Sequence, residues 1–401
     1  MRSPDEPRLA ERRALGVACG AHVLHDGYTD LLYVLLPVWQ SEFGLGYAEV
    51  GLLRGAYAGA MAAFQFPAGL LAERLGAALM LAAGTALAGI AFLLAGAVAG
   101  FAALLAALLL GGLGASVQHP IASAVVARTY QGARSRIALG KYNFSGDIGK
   151  MIFPAATALL LTLMHWRVAL SVLAGLGLLA AVAIFVLTPR FEKRSTATAK
   201  ASTSEPVPST AAPSADPGPR RNGFPILLSI GMIDSATRMA FLTFLPFLLT
   251  AKGASLTTIG FALTLVFAGG AAGKLVCAHL GARYGVLASV ILTEGLTALG
   301  IAALLPLPLA AGLALLPAIG LALNGTSSVL YGTVPELISP AAHARAFGIF
   351  YTGTIGSGAV APALYGLFTD GFGVPGTMLL IAGMVLLTIP LVVALRPALP
   401  R

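Results

Sequence analysis

The feature that most constrains this chain is a succession of apolar blocks, each long enough to cross a lipid bilayer. A membrane-spanning helix needs about 20 predominantly apolar residues, and blocks of that length recur along the sequence between short breaks of polar residues, glycine and proline. Only 10% of the 401 residues are charged and 57% are hydrophobic, whereas soluble domains carry about 25% charged residues. The sequence therefore predicts an all-α integral membrane protein.

Cutting the sequence at these breaks predicts twelve transmembrane helices. We place them at residues 14–40, 47–71, 77–99, 101–127, 134–163, 166–188, 222–250, 256–280, 285–305, 306–332, 342–369 and 373–396. Residues 190–221 are rich in Ser, Thr, Ala and Pro, a composition typical of a flexible linker. We therefore predict a six-helix bundle at 1–189, a linker on the cytoplasmic side at 190–221, and a second six-helix bundle at 222–401.

The two predicted bundles are related by a weak internal repeat. A shift of 209 residues aligns turns and helix ends of the first half with those of the second, and the aligned glycines include Gly44 with Gly253, Gly51 with Gly260, and Gly76 with Gly285. A shift of 208 residues aligns Pro154 with Pro362. Repeated bundles with a site at their interface are typical of secondary transporters. The predicted fold is thus a pair of pseudo-symmetric six-helix bundles.

The distribution of basic residues predicts the topology. Of the 25 lysines and arginines, eighteen fall on the amino-terminal side of the predicted helices, five fall within them, and only Arg167 and Lys252 fall on the other side. The positive-inside rule then puts both termini in the cytoplasm. We expect a multi-pass protein of the cytoplasmic membrane, and no nucleic-acid partner is needed to explain the net charge of +9.

The stretch HVLHDGYTD, residues 22–30, places ionisable residues inside an apolar block. His22, Asp26 and Asp30 recur at a spacing of four residues, so they share one face of a helix with Thr29 and Tyr33. Even on a lenient scale, an ionisable group at the bilayer centre costs about 2.5–3.5 kcal/mol. Three interpretations remain open: a structural polar network, a proton-binding site centred on Asp26, and direct substrate binding.

The remaining ionisable residues inside the predicted helices suggest several pairings. His119 lies at a depth similar to that of His22, and we predict that Asp30 pairs with Arg54 as a gate on the outer side. The other pairs expected to neutralise each other are Asp147 with Lys150, Asp234 with Arg238, and Lys274 with Glu294. Alternatively, Lys150 and Arg238 hold an anionic substrate, and Lys141 either joins them or extends to the membrane surface.

Two motifs resemble a known family. GLLAERLG, from Gly69 to Gly76, resembles the signature turn of the major facilitator superfamily, although Glu73 stands where aspartate is commoner. GASVQHPIASAVVAR, from Gly114 to Arg128, resembles the fosmidomycin-resistance-type branch when taken with His22, Asp26 and the segment LLPVWQSEFGL. The resemblance implies a proton-coupled exporter of small, often anionic compounds, and it implies a gating role for the acid and arginine of the signature turn.

These observations define the expected function and its residues. The candidates for proton coupling are Asp26, His22, His119 and Asp147. The candidates for substrate binding are His25, Tyr33, Gln118, Lys141, Asn143, Lys150, Asp234, Arg238, Asn324 and Tyr331. The candidates for gating are Asp30, Arg54, Glu73 and Arg74.

We expect a monomeric antiporter in the lipid bilayer that exports a small, anionic organic compound or drug by alternating access. The proton gradient is its energy source, and we expect no cofactor and no metal, because the sequence carries neither an ATP-binding phosphate loop nor metal-ligand spacing. Enzyme activity is not expected, since no catalytic constellation is found. Proton symport for uptake of an organic anion is one alternative, and a non-transporting receptor or scaffold is another.

Overall fold

A computed structural model describes residues 6–130, 132–188, 223–339 and 343–399, and the regular structure in these ranges is helical. The helices are α1 (Glu6–Asp30), α2 (Leu32–Phe43), α3 (Tyr47–Leu75), α4 (Ala77–Ala97), α5 (Phe101–Ala115), α6 (Gln118–Thr129), α7 (Gly132–Leu163), α8 (Trp166–Leu187), α9 (Gly223–Ala251), α10 (Leu256–Leu304), α11 (Leu309–Leu337), α12 (His343–Val385) and α13 (Thr388–Leu395), followed by a 3-10 turn at Arg396–Ala398. The predicted linker at 190–221 lies outside the described residues, so the proposed domain boundaries stay a prediction.

Within these ranges, nine helical segments are long and apolar enough to cross a membrane. One of them, residues 345–398, is 54 residues long, which exceeds the length that a single crossing requires. The segments formed by α1 with α2 and by α3 are not among the nine, and both carry several charged residues. The helical membrane fold is confirmed, while the count of twelve crossings stays a prediction.

Two of the predicted helices have a local irregularity beside candidate site residues, although the backbone there stays in the right-handed helical region. The predicted helix at 14–40 ends as α1 at Asp30 and resumes as α2 at Leu32. The predicted helix at 101–127 is divided into α5 and α6 around Ser116. Pro120 has no N–H to donate to the Ser116 carbonyl four residues earlier, which favours the irregularity at Ser116.

The internal repeat is visible in the backbone. Gly76 and its counterpart Gly285 have φ values of 92° and 79°, and Gly44 and Gly253 have 63° and 84°. These left-handed values favour glycine, which explains why glycine occurs at equivalent turns in both halves. Gly285 lies inside α10 and divides it between the predicted eighth and ninth helices.

Close packing of the two bundles seals the face opposite the amino terminus. A methyl group at Gly51 would overlap the carbonyl of Pro362, and one at Gly260 would lie 2.9 Å from the carbonyl oxygen of Pro154. These contacts are equivalent under the internal repeat. The Asp370 carboxylate also accepts hydrogen bonds from the backbone N–H groups at the start of α3, at 2.7 Å from Tyr47 N and 3.0 Å from Ala48 N.

The bundles separate towards the amino-terminal face. Gly140 on α7 and Gly348 on α12 lie near that face, and no atom of another helix lies within 4 Å of the position a Cβ would take at either glycine. Deeper in the molecule, the side chains of His119 and Lys274 are 40% and 42% exposed. The structure is therefore closed at the opposite face and open towards the amino-terminal face.

The two basic residues assigned to the opposite face stabilise helix ends there. Arg167 donates from Nη1 to the carbonyl oxygens of Gly96 and Val98, at 3.0 and 2.6 Å. Lys252 donates from Nζ to the carbonyl oxygens of Leu305 and Leu307, both at 2.7 Å. A cation stabilises the carbonyl end of a helix, so these charges have a structural explanation.

Candidate functional site

The centre of the candidate site is the carboxylate of Asp26, which is contacted by three basic groups. His22 Nε2 lies 3.3 Å and Lys150 Nζ 3.4 Å from Oδ2, and His119 Nε2 lies 3.7 Å from Oδ1. The two imidazole rings meet edge to face at 5.2 Å between centroids, as expected from their similar predicted depth. Asp26 itself is only 8% exposed. We call Asp26, His22, His119 and Lys150 the central cluster.

Three helices bring the central cluster together. His22 and Asp26 are one turn apart on α1, His119 lies in the first turn of α6, and Lys150 lies on α7. The glycines of α7 permit its close approach to α1: a Cβ at Gly146 would lie 2.6 Å from Asp26 Oδ2. A larger residue there would displace the carboxylate, so this glycine is required by the geometry of the cluster.

His22 makes one side-chain hydrogen bond, through Nδ1, while its Nε2 faces Asp26 without meeting the geometry of a hydrogen bond. His22 Nδ1 lies 2.8 Å from the backbone oxygen of Tyr142, which can only accept, so Nδ1 carries a hydrogen. The ring also stacks on that of Tyr142 at 4.1 Å, which fixes its orientation. Nε2 faces the Asp26 carboxylate, and the contact is attractive only when one of the two groups holds a proton.

The central cluster also contains a donor set that divalent metals use. The ligand atoms of His22, Asp26 and His119 lie within 4.8 Å of one another, and two imidazoles with one carboxylate are common ligands. The spacing of these residues in the sequence does not indicate a metal site, because His119 comes close to His22 and Asp26 only in the folded protein. However, the Lys150 ammonium already lies 3.4 Å from Asp26. Its positive charge opposes a divalent cation there, so the geometry favours a proton.

A second ion pair joins the two bundles. Lys274 Nζ on α10 donates to Asp147 Oδ1 on α7 at 2.6 Å. The predicted pairs of Asp147 with Lys150 and of Lys274 with Glu294 are therefore wrong. Sequence position fixes the depth of a residue in the membrane, but not the direction in which its side chain points. Lys274 faces the other bundle, whereas Glu294 is buried in its own.

Asp30 and Arg54 approach each other within the first bundle, as predicted. Arg54 Nη2 lies 3.8 Å from Asp30 Oδ1 and donates to the Tyr33 hydroxyl at 3.0 Å. The guanidinium also lies over the Tyr33 ring, 4.7 Å from its centroid. The Tyr33 hydroxyl also contacts the other bundle, since it lies 3.5 Å from the sulfur of Met239. A gating role for Asp30 and Arg54 stays a prediction.

Four further candidates lie apart from the central cluster. His25 is buried between helices, with Nε2 2.8 Å from the hydroxyl of Thr85. Gln118 is fully buried beside Tyr142. Lys141 and Asn143 are exposed, so the arrangement does not bring them to Asp26.

In the second bundle, Asp234, Arg238 and Tyr331 line a small cavity of about 10 Å³, which has room for about one water molecule. The described residues contain no ion pair within 4.0 Å between Asp234 and Arg238, so their predicted mutual neutralisation is not observed. Asn324 does not line this cavity: its Nδ2 donates to the Gly320 oxygen of its own helix at 3.2 Å.

The candidate gating residues Glu73 and Arg74 are exposed at the end of α3. Neither makes an ion pair within the ranges that the structure describes. This agrees with the separation of the bundles at the amino-terminal face, since a charge contact that closes this face would be absent from a state that is open there.

Sequence reasoning missed the contacts that depend on tertiary packing. Asp370 was not considered, although it links the two bundles at the sealed face. Tyr142 was not considered either, although its backbone oxygen fixes the tautomer of His22. The sequence did place Lys274 at a depth similar to that of Asp147. This position allowed a pair between the two bundles as well as the pair of Lys274 with Glu294 that we predicted.

Two related helical bundles that are sealed at one face and enclose buried charges are the architecture of a secondary transporter. The chain belongs to the Major Facilitator Superfamily, whose family model matches residues 18–224 and 227–401. The predicted family and fold are confirmed, and the protein is a membrane transporter and not an enzyme.

One curated relative is the fosmidomycin resistance protein of Escherichia coli strain K12. It is 28% identical over 147 residues, which cover 37% of this chain and 36% of that protein. The match therefore spans about a third of the relative's length, and the activity of the relative does not transfer by similarity alone.

Solved transporters share the fold over nearly the whole chain. A bacterial homologue of the human lysosomal transporter Spinster, in an inward-facing and occupied conformation, matches with a TM-score of 0.77 at 15% identity, covering 99% of this chain and 98% of that one. The nucleoside transporter NupG matches with a TM-score of 0.75 at 15% identity, covering 96% and 99%. At these identities the likeness shows the fold alone.

Proposed function

We propose that the protein is a proton-coupled secondary transporter that exports a small organic anion across the cytoplasmic membrane. The observation that carries the proposal is the buried Asp26 carboxylate, which lies 3.3 Å from His22 and 3.4 Å from Lys150. The partial match to a fosmidomycin resistance protein supports export. With both termini in the cytoplasm, as the distribution of basic residues favours, the open face of this structure is the cytoplasmic one.

Protonation of Asp26 would change what the cluster can bind. Ionised, the carboxylate holds Lys150 at 3.4 Å and His119 at 3.7 Å. Protonated, it no longer attracts the Lys150 ammonium, and the lysine becomes available to an anionic group. The energy source in this proposal is the proton gradient, and the moving parts are the two bundles.

The charges around the central opening favour an anionic substrate. Lys150 comes from the first bundle, and Lys274 and Arg238 come from the second. The Lys274 side chain is 42% exposed and that of Lys150 is 31% exposed, so substrate can reach both. A carboxylate, phosphate or phosphonate pairs well with such point charges.

Proton symport of an organic anion is a second candidate, and one observation favours it. Lys150 contacts the same carboxylate oxygen as His22, so a proton on Asp26 would assist an anion at Lys150. Antiport requires the proton and the substrate to exclude each other, whereas this local arrangement makes them cooperate. The sign of coupling is therefore the property to measure.

Purified protein in liposomes that contain a pH-sensitive dye separates these functions. The membrane potential is clamped, no pH gradient is imposed, and fosmidomycin or a small carboxylate or phosphonate is added outside. Antiport makes the lumen more alkaline as substrate enters, whereas symport makes it more acidic, in either orientation of the protein. Flux without a pH change would refute proton coupling. No flux of any anion tested would favour the receptor or scaffold alternative.

A further inference from the structure

A groove on the outside of the first bundle has the dimensions of a ligand site. It lies between the end of α4 and the start of α8, and the side chains that line it include Leu93, Leu94 and Ala97 from α4 and Arg167, Val168 and Ser171 from α8. Its volume is about 460 Å³, within the range of about 300–1,000 Å³ that is typical of ligand pockets. The groove is therefore large enough to hold part of a lipid molecule.

The apolar part of the groove faces the membrane. Leu93 and Leu94 are each 45% exposed and Val168 is 52% exposed, and both helices that carry them are long and apolar enough to cross a bilayer. Exposed apolar side chains on such helices contact the hydrocarbon chains of lipids. A lipid chain is therefore within reach of this part of the groove.

Arg167 lies at the end of the groove where lipid headgroups are expected. The last residue of α4 is Ala97 and the first residue of α8 is Trp166, so the groove ends where both helices end. The Arg167 guanidinium lies over the Trp166 ring, 4.3 Å from its centroid. Tryptophan is enriched at the boundary between membrane and water, which places this arginine at the level of the headgroups.

Two side chains of opposite charge meet at this end of the groove. Arg167 donates from Nη1 to the carbonyl oxygens of Gly96 and Val98, and from Nη2 to Glu42 Oε1 on α2 at 3.3 Å. Because a guanidinium has five N–H donors, two of them, on Nε and Nη2, have no partner among the described residues. The other oxygen of Glu42 accepts no hydrogen bond there either. The side chains of Arg167 and Glu42 are 33% and 36% exposed, so a ligand can reach both.

We propose that this groove binds a phospholipid whose headgroup carries a primary ammonium group. The phosphate accepts hydrogen bonds from Arg167, the ammonium donates to Glu42, and one acyl chain lies along Leu93, Leu94 and Val168. The pair of Arg167 and Glu42 has no net charge, so a headgroup with one charge of each sign complements both groups. A quaternary ammonium has no N–H to donate, and a glycerol headgroup has no cation for Glu42. The bound lipid joins α2 to α4 and α8, and this site does not depend on the proposed transport function.

Native mass spectrometry of the purified full-length protein tests the headgroup preference. The protein is stripped of lipid and titrated with phosphatidylethanolamine, phosphatidylcholine or phosphatidylglycerol of identical acyl chains, and the binding of the first lipid is measured. We expect wild type to bind phosphatidylethanolamine at least about fivefold more tightly than either of the others, somewhat less than one fully buried hydrogen bond between charged groups contributes. Equal binding of the three lipids would overturn the proposal.

Three variants test the position of the site. Glu42→Gln keeps the hydrogen bonds of Arg167 to the two carbonyls but removes the negative charge, so it should lose the preference for phosphatidylethanolamine. Val168→Trp fills the groove and keeps the headgroup from Arg167, so it should weaken binding of the first phosphatidylethanolamine at least about fivefold. Leu179→Trp is the matched control, because Leu179 lies on the same helix, outside the groove, and is 71% exposed.

The control should bind phosphatidylethanolamine as wild type does. Unchanged binding by Val168→Trp, or an equal loss in Leu179→Trp, would overturn the groove as the site. An undiminished preference in Glu42→Gln would overturn the contact between the ammonium and Glu42.

Discussion

Removal of the Asp370 carboxylate should shift the molecule towards a state open at the opposite face. This side chain caps the start of α3 from the other bundle, with contacts of 2.7 and 3.0 Å to two backbone N–H groups. Once the bundles separate at this face, the contacts are lost and water replaces them. The variant Asp370→Ala therefore removes an interaction that only the present state makes.

The size of the shift follows from this geometry. Loss of a helix N-terminal cap costs about 0.5–2 kcal/mol, and a negative charge at that helix end contributes about 0.3–1 kcal/mol. The Asp370 carboxylate and the N–H groups that it caps are exposed in the present state, so we expect a net effect of about 1–2 kcal/mol. An effect of this size changes the ratio of the present state to the state open at the opposite face about 5–30-fold.

Distances between spin labels at the opposite face measure the two populations. Labels on Ser41→Cys and Ala251→Cys, both exposed and in different bundles, report the separation in a background without the native cysteines. Glu49→Ala is the matched control, because Glu49 caps the same helix end from within it, at 2.9 Å from Gly46 N. The reasoning is refuted if Asp370→Ala leaves the distances unchanged or if Glu49→Ala shifts them equally.

Three further predictions test the packing and the charges. Gly51→Leu places a side chain against the opposite bundle, so it should prevent the two bundles from sealing the face opposite the amino terminus. Transport should fall at least about tenfold while the yield of folded protein stays normal, and unchanged transport would contradict this. Lys274→Met should lower the melting temperature, because it leaves a buried Asp147 unpaired, and adding Asp147→Asn should restore most of the loss; additive losses would argue against the pair. The exchange variant Asp30→Arg with Arg54→Asp should recover part of the transport that each single change abolishes, and no recovery would contradict their pairing.

Elements specified by local sequence were predicted well. The length of the apolar blocks gave the helical membrane fold, and the repeated glycines marked turns whose left-handed backbone favours that residue, as at Gly76 and Gly285. The spacing of His22 and Asp26 placed both on one face of a helix, and the two groups are 3.3 Å apart. These features depend on a few neighbouring residues, so a single sequence contains the information.

Contacts between distant helices were predicted poorly because they depend on rotation about the helix axis. Glu294 and Lys274 lie at similar depth on consecutive segments, yet one faces its own bundle and the other faces Asp147. The contact of Asp370 with the first turn of α3 depends on the conformational state as well as on the fold. The position of a residue in the sequence determines neither the rotation of its helix about the helix axis nor the conformational state of the protein.

The most direct test of the account is proton-driven transport by Asp26→Asn, measured beside substrate exchange in the absence of a gradient. Asparagine keeps the shape of the side chain but cannot gain or lose the proton. We predict that the variant retains exchange and loses accumulation driven by a pH gradient. Full pH-driven accumulation by Asp26→Asn would contradict the central claim that this carboxylate couples proton movement to transport.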